Sequence, residues 1–388
     1  AVSAILLNTP GEPSSAPTAL DGYPLSQKGQ ASKALKMGLF ASVIGDFFAT
    51  LLLIFLAAPL AEYALLFGPV EVTAILLFSL TFIAALSGNS LVKGLIAGLF
   101  GLLFSTVGME VETATVRFSF DILELYDGLS LIPVAIGMLA VAEMMVQLGG
   151  LEALEHQQKL LKENVKSINQ NISWEEWKLS FPAIVRGTAV GSVVGILPGL
   201  GASVASFLSY GLAKKAAKDP SRFGKGAIEG IAAAESADNA VVPSSLVPLF
   251  ALGIPGSVIA AILIGAFIIQ GVTPGPLMFV QQPELVNGIY LSMICASLLL
   301  LFIGYFGQKL FSLLSLVSLR LIIPSVIFFC SIGAYLQGGG IVGIWLILFF
   351  GIFGYFAKKL DFSFVTFLIG FVVGPQFELS MRQAIAIT

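Results

Sequence analysis

Charge is what this sequence lacks most. Only 11% of its 388 residues are Asp, Glu, Lys or Arg, against roughly 25% in soluble globular domains. There is no basic tract of nucleic-acid type, and a net charge of −3 says little about partners. Histidine is nearly absent. The single one, His156, lies in a polar stretch and excludes a multi-histidine metal site. The two cysteines, Cys295 and Cys330, both sit in apolar runs, so buried inert thiols are expected rather than a disulfide framework.

Apolar sequence fills the space. Hydrophobic residues make up 57% of the chain and mean hydropathy is +0.95. The apolar runs are about 15 to 25 residues long and do not alternate, which excludes a β-barrel. The expected fold is all-α, a polytopic transmembrane helical bundle. Forty-one glycines suit close helix packing and interrupted helices in lipid.

The spans are legible in order. Gly38 to Ala58 is the first, closed by Pro59 and holding Asp46. A lone carboxylate near mid-bilayer costs about 2.5 to 3.5 kcal/mol, so Asp46 should face protein or water. Val72 to Leu86 and Leu91 to Val107 flank Ser87-Gly-Asn-Ser90 as a tight hairpin. Gly108 to Gly128 carries six charges and belongs outside the hydrocarbon. Leu129 to Leu148 is a span with Glu143 near its end, at the interface. Residues 149–186 form a basic loop, placed in the cytoplasm by the positive-inside rule. Later spans are expected at about Val286 to Phe306, Leu321 to Leu336, Ile341 to Phe356 and Phe362 to Val373.

Three stretches break the apolar pattern. Glu12 to Pro24 follows the run Ala1 to Leu7 and the turn Asn8-Thr-Pro-Gly11. Its prolines forbid one continuous helix, and both a surface loop and a re-entrant segment fit. Gly187 to Leu212 is broken at Pro198-Gly199 and lies between two basic loops. A hairpin that enters and returns on one side keeps both loops in the cytoplasm, and is favoured over a single kinked span. Leu246 to Gln270 is broken at Pro255-Gly256, with Ser257 placed to cap the following half-helix. Between the last two lies Gly226 to Ala240, alanine-rich, with Glu235, Asp238 and Asn239 at i, i+3 and i+4 on one helix face. Two carboxylates there repel unless one is protonated or a cation lies between them.

Leu7-Asn-Thr-Pro10-Gly11 aligns with Leu252-Gly-Ile-Pro255-Gly256. Paired broken helices in two halves point to a secondary transporter. The expected organisation is an incomplete first-half repeat over 1–148, the basic loop over 149–186 and a second-half repeat over 187–388. Half-helices that begin inside a membrane present N–H groups and a positive dipole end, which favour an anion. Asn8, Thr9, Pro10, Gly11, Pro198, Gly199, Ser203, Pro255, Gly256 and Ser257 are the candidate substrate-binding residues. Asp21, Glu235, Asp238 and Asn239 are the candidates for coupling to Na+ or H+, and no other cofactor is expected. An intramembrane enzyme is disfavoured: Tyr126-Asp127 has no Gly-x-Gly-Asp partner, His-Glu-x-x-His is absent, and one histidine leaves little room for a serine relay.

The motifs together resemble the large membrane subunit of the tripartite tricarboxylate transporters, the TctA family. The matching residues are Ile5 to Gly11 with Thr18 to Pro24, Leu197 to Ala202, Phe223-Gly-Lys-Gly226 with Glu229-Gly230, Glu235 to Ala240, Leu252 to Ser257 and Thr273 to Pro276. Cys330 to Tyr335, Phe350 to Tyr355 and Gly374 to Glu378 also fit. One departure is Pro243-Ser-Ser245, where the family pattern leads one to expect a glycine-containing turn. The resemblance implies a bacterial inner-membrane transporter of tricarboxylates or related anions. It implies a small membrane subunit and a periplasmic solute-binding protein as partners. It also implies that the chain is a fragment lacking both ends. A large subunit of another carboxylate transporter family is the alternative.

Overall fold

The computed structural model describes residues 1–8, 12–86, 90–110, 114–149, 171–197, 200–314, 319–337 and 339–387. These residues are almost wholly helical. The helices are α1 (Val2–Leu7), α2 (Ala16–Gln27), α3 (Ala31–Ala64), α4 (Pro69–Leu86), α5 (Leu91–Ser105) and α6 (Leu131–Gly149). Then come α7 (Trp174–Ile196), α8 (Gly201–Ala216), α9 (Ile228–Ser244), α10 (Leu246–Leu252) and α11 (Val258–Ile269). The last are α12 (Leu277–Gln281), α13 (Pro283–Leu314), α14 (Leu319–Gln337), α15 (Ile341–Lys359) and α16 (Phe364–Ile387). Among the described residues five helices are long and apolar enough to cross a membrane: α3, α6, α7, α13 through Gly307, and α15. The chain is a multi-pass membrane protein.

Several helices run on where sequence rules expect an end. α3 passes through Pro59 to Ala64 because Ala61 and Ala64 are buried on its far side, and that packing offsets the hydrogen bond proline removes. α16 carries the last apolar run through Pro375 to Ile387. Pro24 likewise sits inside α2, while the preceding residues Pro13–Ser15 form a separate 3-10 turn. The prolines of this stretch therefore divide it once, before Ala16. It is not a surface loop: Ser14, Ser15, Thr18, Ala19, Asp21 and Leu25 are buried. At Pro243-Ser-Ser245, α9 continues to Ser244 and α10 follows after Ser245.

Two compact units divide the chain. One comprises Ala1–Glu62, Glu152–Ala251 and Gly275–Val317; the other comprises Tyr63–Leu151, Leu252–Pro274 and Ser318–Thr388. In the first, small residues let α7, α8 and α9 approach closely. Gly187, Gly191 and Gly195 of α7 face Ala233, Ala237 and Val241 of α9 in a parallel register four residues apart. A Cβ at Gly195 would stand 2.8 Å from the Val241 carbonyl oxygen, and one at Gly191 would collide with that of Ala237. α8 runs antiparallel to α7: Val194 packs with Ala205, and Ala183 with Tyr210 and Ala213. The broken stretch Gly187 to Leu212 therefore lies in a helical hairpin, but its first arm is no half-helix. α7 starts at Trp174, inside the stretch expected as a loop, and is long enough to span. α3 crosses α9 where Gly45 meets the Ser236 carbonyl.

The second unit is built on aromatic packing. Phe104, Phe350, Phe353, Phe367 and Phe371 interlock with ring centroids 5.3 to 6.4 Å apart, within the range where edge and offset contacts stabilise. α6 contains a π turn over Gly137–Val141, pressed against α15. A Cβ on Gly137 would meet the Phe350 side chain at 2.8 Å. The polar stretch after α5 forms a two-residue antiparallel ladder, β1 (Gly108–Met109) with β2 (Val116–Arg117). Arg117 chelates Glu378 of α16 at 2.7 and 3.0 Å.

Candidate functional site

Burying a carboxylate is costly unless donors surround it. The first unit buries three, Asp21, Glu229 and Glu235. Glu229 pairs with Arg222, and the other two have different surroundings. Asp21 of α2 is fully buried. Its Oδ1 accepts from the backbone N–H groups of Gly224, Gly226 and Ala227, each at 2.8 Å. Its Oδ2 accepts from the Tyr210 hydroxyl at 2.9 Å. Gly224 and Gly226 have φ of +82° and +105°, a region that side chains disfavour. That backbone turns the N–H groups inward just ahead of α9. The motif Phe223-Gly-Lys-Gly226 is therefore a cradle for Asp21. A Cβ at Gly230 would collide with the same carboxylate.

Glu235 of α9 is 3% exposed and is met by side-chain hydroxyls instead. Thr18 of α2 donates to its Oε1 at 2.6 Å, and Ser42 of α3 donates to its Oε2 at 3.1 Å. Asn239, one turn on, donates to Ser42 Oγ at 2.8 Å and to the Glu235 carbonyl at 3.0 Å. Asp238 lies on the same side of α9, with the Ser14 hydroxyl and the Glu235 carboxylate as neighbours. Among the described residues, neither carboxylate pairs with a lysine or arginine. The first broken stretch thus meets the acidic face of α9 through Ser14 and Thr18.

Other expected site residues are distributed as follows. Asn8 ends α1 in the left-handed conformation, φ 53°. Ser203 lies in the first turn of α8, whose N-terminus has no side-chain cap. Thr9, Pro10, Gly11, Pro198 and Gly199 lie outside the described residues, as does most of the basic loop at 150–170. Pro255, Gly256 and Ser257 belong to the second unit. Ser257 caps α11 as expected, accepting from Ala260 N at 3.1 Å. Beside this break, a Cβ at Gly253 would stand 3.1 Å from the Pro274 carbonyl oxygen and 3.6 Å from the Gln376 amide. Three motifs far apart in sequence therefore meet within the second unit. Asp46 accepts a hydrogen bond from Ser297 of α13.

Thr18, Ser42, Ser14 and Tyr210 were not singled out from sequence. A lone hydroxyl in an apolar helix gives no signal by itself. Ser42 stands four residues before Asp46, and that shared face was the available clue.

The family model described as "Tripartite tricarboxylate transporter TctA family" matches residues 1–369. The chain belongs to the TctA family. A curated relative, an uncharacterized 52.8 kDa protein in the TAR-I ttuC' 3' region of Agrobacterium vitis, is 38% identical over 386 residues, which is 100% of this chain and 76% of the relative. A second, an uncharacterized protein in the TAR-II ttuC' 3' region of the same organism, is 40% identical over 198 residues, 51% of this chain and 82% of that protein. No solved structure matches. Both the Asp21 cradle and the Glu235 cluster lie inside the segment that matches the TctA model.

Proposed function

We propose that this TctA chain is the large membrane subunit of a cation-coupled, binding-protein-dependent secondary transporter that imports tricarboxylates or related organic anions across the bacterial inner membrane. It is a carrier and not an enzyme. The observation that carries the reading is Glu235, a buried carboxylate held by the hydroxyls of Thr18 and Ser42. With Asp238 it forms an oxygen-rich cluster that, among the described residues, pairs with no basic side chain. Such a cluster suits a hard cation or a proton, whose arrival removes the repulsion between the two carboxylates. Asn239 positions Ser42. Asp21 has the donors of a latch, and its part in coupling is to hold α2 against the start of α9.

The substrate anion is assigned to the helix breaks. The α8 N-terminus supports this, since its first-turn N–H groups have no side-chain cap and a Cβ at Gly201 would meet nothing within 4 Å. Asn8, Thr9, Pro10, Gly11, Pro198, Gly199 and Ser203 form the first candidate group, and Pro255, Gly256 and Ser257 the second. A small membrane subunit and a periplasmic solute-binding protein would complete the system.

The test is uptake of labelled citrate and dicarboxylates into vesicles holding this chain, the small subunit and the binding protein. Sodium and proton gradients are imposed separately. Uptake that requires the binding protein and one gradient is expected, and it names the ion. Uptake unaffected by either gradient would remove the coupling.

A further inference from the structure

The second unit contains an apolar cavity of about 200 Å³. It is walled by Ala97 and Phe100 of α5, Met138 in the π turn of α6, Phe353 and Phe356 of α15, and Phe367 of α16. Phe100 and Phe356 are exposed, so the cavity reaches the surface of the unit. An apolar cavity of this size offers water no partners. Its one polar lining residue, Ser363, is engaged with Thr366 at the start of α16.

Its rim is basic. The Lys93 ammonium donates to the Leu360 carbonyl at 2.7 Å and stands 5.9 Å from the Phe362 ring. Lys358 lies 5.9 Å from the Phe364 ring, and Lys359 lies 4.7 Å from that of Tyr355. Leu360, Phe362 and Phe364 also line the cavity. Two carboxylates belong to this region. Glu143 is paired with Lys358, and Asp361 is exposed at the turn after α15. Lys93 uses one of its three N–H donors on Leu360, and Lys359 rests on a ring face.

α15 is long and apolar enough to span a membrane and ends in Lys358 and Lys359. Lysines and aromatic rings grouped at the end of a membrane-length helix mark the headgroup level. The cavity then lies just beneath that level, beside the first methylenes of a lipid chain. We propose that the cavity and its rim bind an anionic phospholipid, with one acyl chain among Phe100, Met138 and Phe356 and the phosphate on Lys93 and Lys359. The basic rim selects against a zwitterionic headgroup, and the cavity's shape selects for a chain.

The experiment is native mass spectrometry and thermal unfolding of the delipidated full chain, with phosphatidylglycerol or phosphatidylcholine added back at equal mole fraction. Wild-type protein should retain phosphatidylglycerol preferentially, and only this lipid should raise its unfolding temperature. Lys93→Gln/Lys359→Gln should lose that preference, about fivefold for each charge removed. Lys214→Gln/Lys215→Gln, which removes two lysines of the other unit, should keep it. Equal gains from both lipids in the wild type would overturn the proposal. So would an undiminished preference in Lys93→Gln/Lys359→Gln. Water-soluble glycerophosphoglycerol should give no shift; a full shift from it would remove the acyl chain from the site. Should the rim variant fail to fold, the wild-type retention ratio decides alone, and a ratio near one sinks the idea.

Discussion

Thr18 donates its hydroxyl hydrogen to Glu235 at 2.6 Å across 217 positions of sequence. That bond joins the short helix α2 to the acidic face of α9. It puts the first broken stretch and a buried carboxylate in one contact, the contact through which the proposed coupling would act. Glu235→Gln keeps the size of the side chain and its Thr18 and Ser42 neighbours but removes the charge. The expected outcome is a folded protein at normal expression whose gradient-driven uptake falls by about 100-fold or more. Retained gradient dependence in that variant would exclude Glu235 from coupling.

Asp238→Ala removes one of the two neighbouring carboxylates, Glu235 and Asp238, on this face of α9. If the pair shares a cation, the concentration of coupling ion needed for half-maximal uptake rises by about tenfold or more. Asp238→Asn, which keeps a ligand oxygen, should lie between wild type and Ala. Unchanged ion dependence in both would leave Asp238 outside the site.

Asp21→Ala leaves the N–H groups of Gly224, Gly226 and Ala227 without their acceptor. Each orphaned buried donor costs about 1 to 3 kcal/mol, so thermal unfolding in detergent should show a severely destabilised or unfolded protein. Tyr210→Phe removes a single bond to Asp21 and should cost about 1 kcal/mol. A normal unfolding temperature for Asp21→Ala would contradict the latch.

Gly191→Ala inserts a methyl group where α7 touches the Ala237 carbonyl. α7 and α9 would have to part, and poor yield or a lowered unfolding temperature is expected. Gly211→Ala is the contrast, since a Cβ there meets nothing within 4 Å. It should be neutral or slightly stabilising, because alanine favours helix.

The Arg117 guanidinium holds the Glu378 carboxyl below the usual carboxylate range, with Arg382 adding to the effect. The folded state therefore binds this proton less readily than the unfolded state. The stabilisation is present above the unfolded pKa, about 4.3, and is lost as pH falls through the lower folded value. Wild type should exceed Glu378→Gln by about 1 kcal/mol at neutral pH, and the difference should close below about pH 4. Parallel stability curves down to acid would disprove the linkage.

Much of the helical order was legible. Apolar runs with charged ends located α3, α6, α13 and α15, because the bilayer acts on composition alone. The shared face of Glu235, Asp238 and Asn239 followed from helical spacing. Proline was the weaker guide. Pro59 and Pro375 lie within helices because tertiary packing outweighs one missing hydrogen bond. The cradle around Asp21 was hidden for a different reason. Its donors are backbone N–H groups of Gly224, Gly226 and Ala227, and no residue type announces where a backbone N–H will point. Sequence marked the glycines and the aspartate separately, and only the fold brings them together.

The interleaving of the two compact units bears on how the protein is made. The first unit draws on residues from 1 to 317 and the second on residues from 63 to 388. A ribosome delivers the chain in order, so the first unit cannot close before residue 317 has been made, nor the second before its last segment, 318–388, has followed. α4, α5 and α6 must be held in the membrane until α14, α15 and α16 emerge. α1, α2 and α3 must wait for α9 to supply Glu235. Contacts of such sequence separation close slowly, and the exposed small-residue faces of α7 and α9 are open to wrong partners meanwhile. Biogenesis of this chain should therefore depend on membrane chaperoning late in synthesis, and truncations that remove α16 should be cleared by quality-control proteases rather than persist as half-proteins.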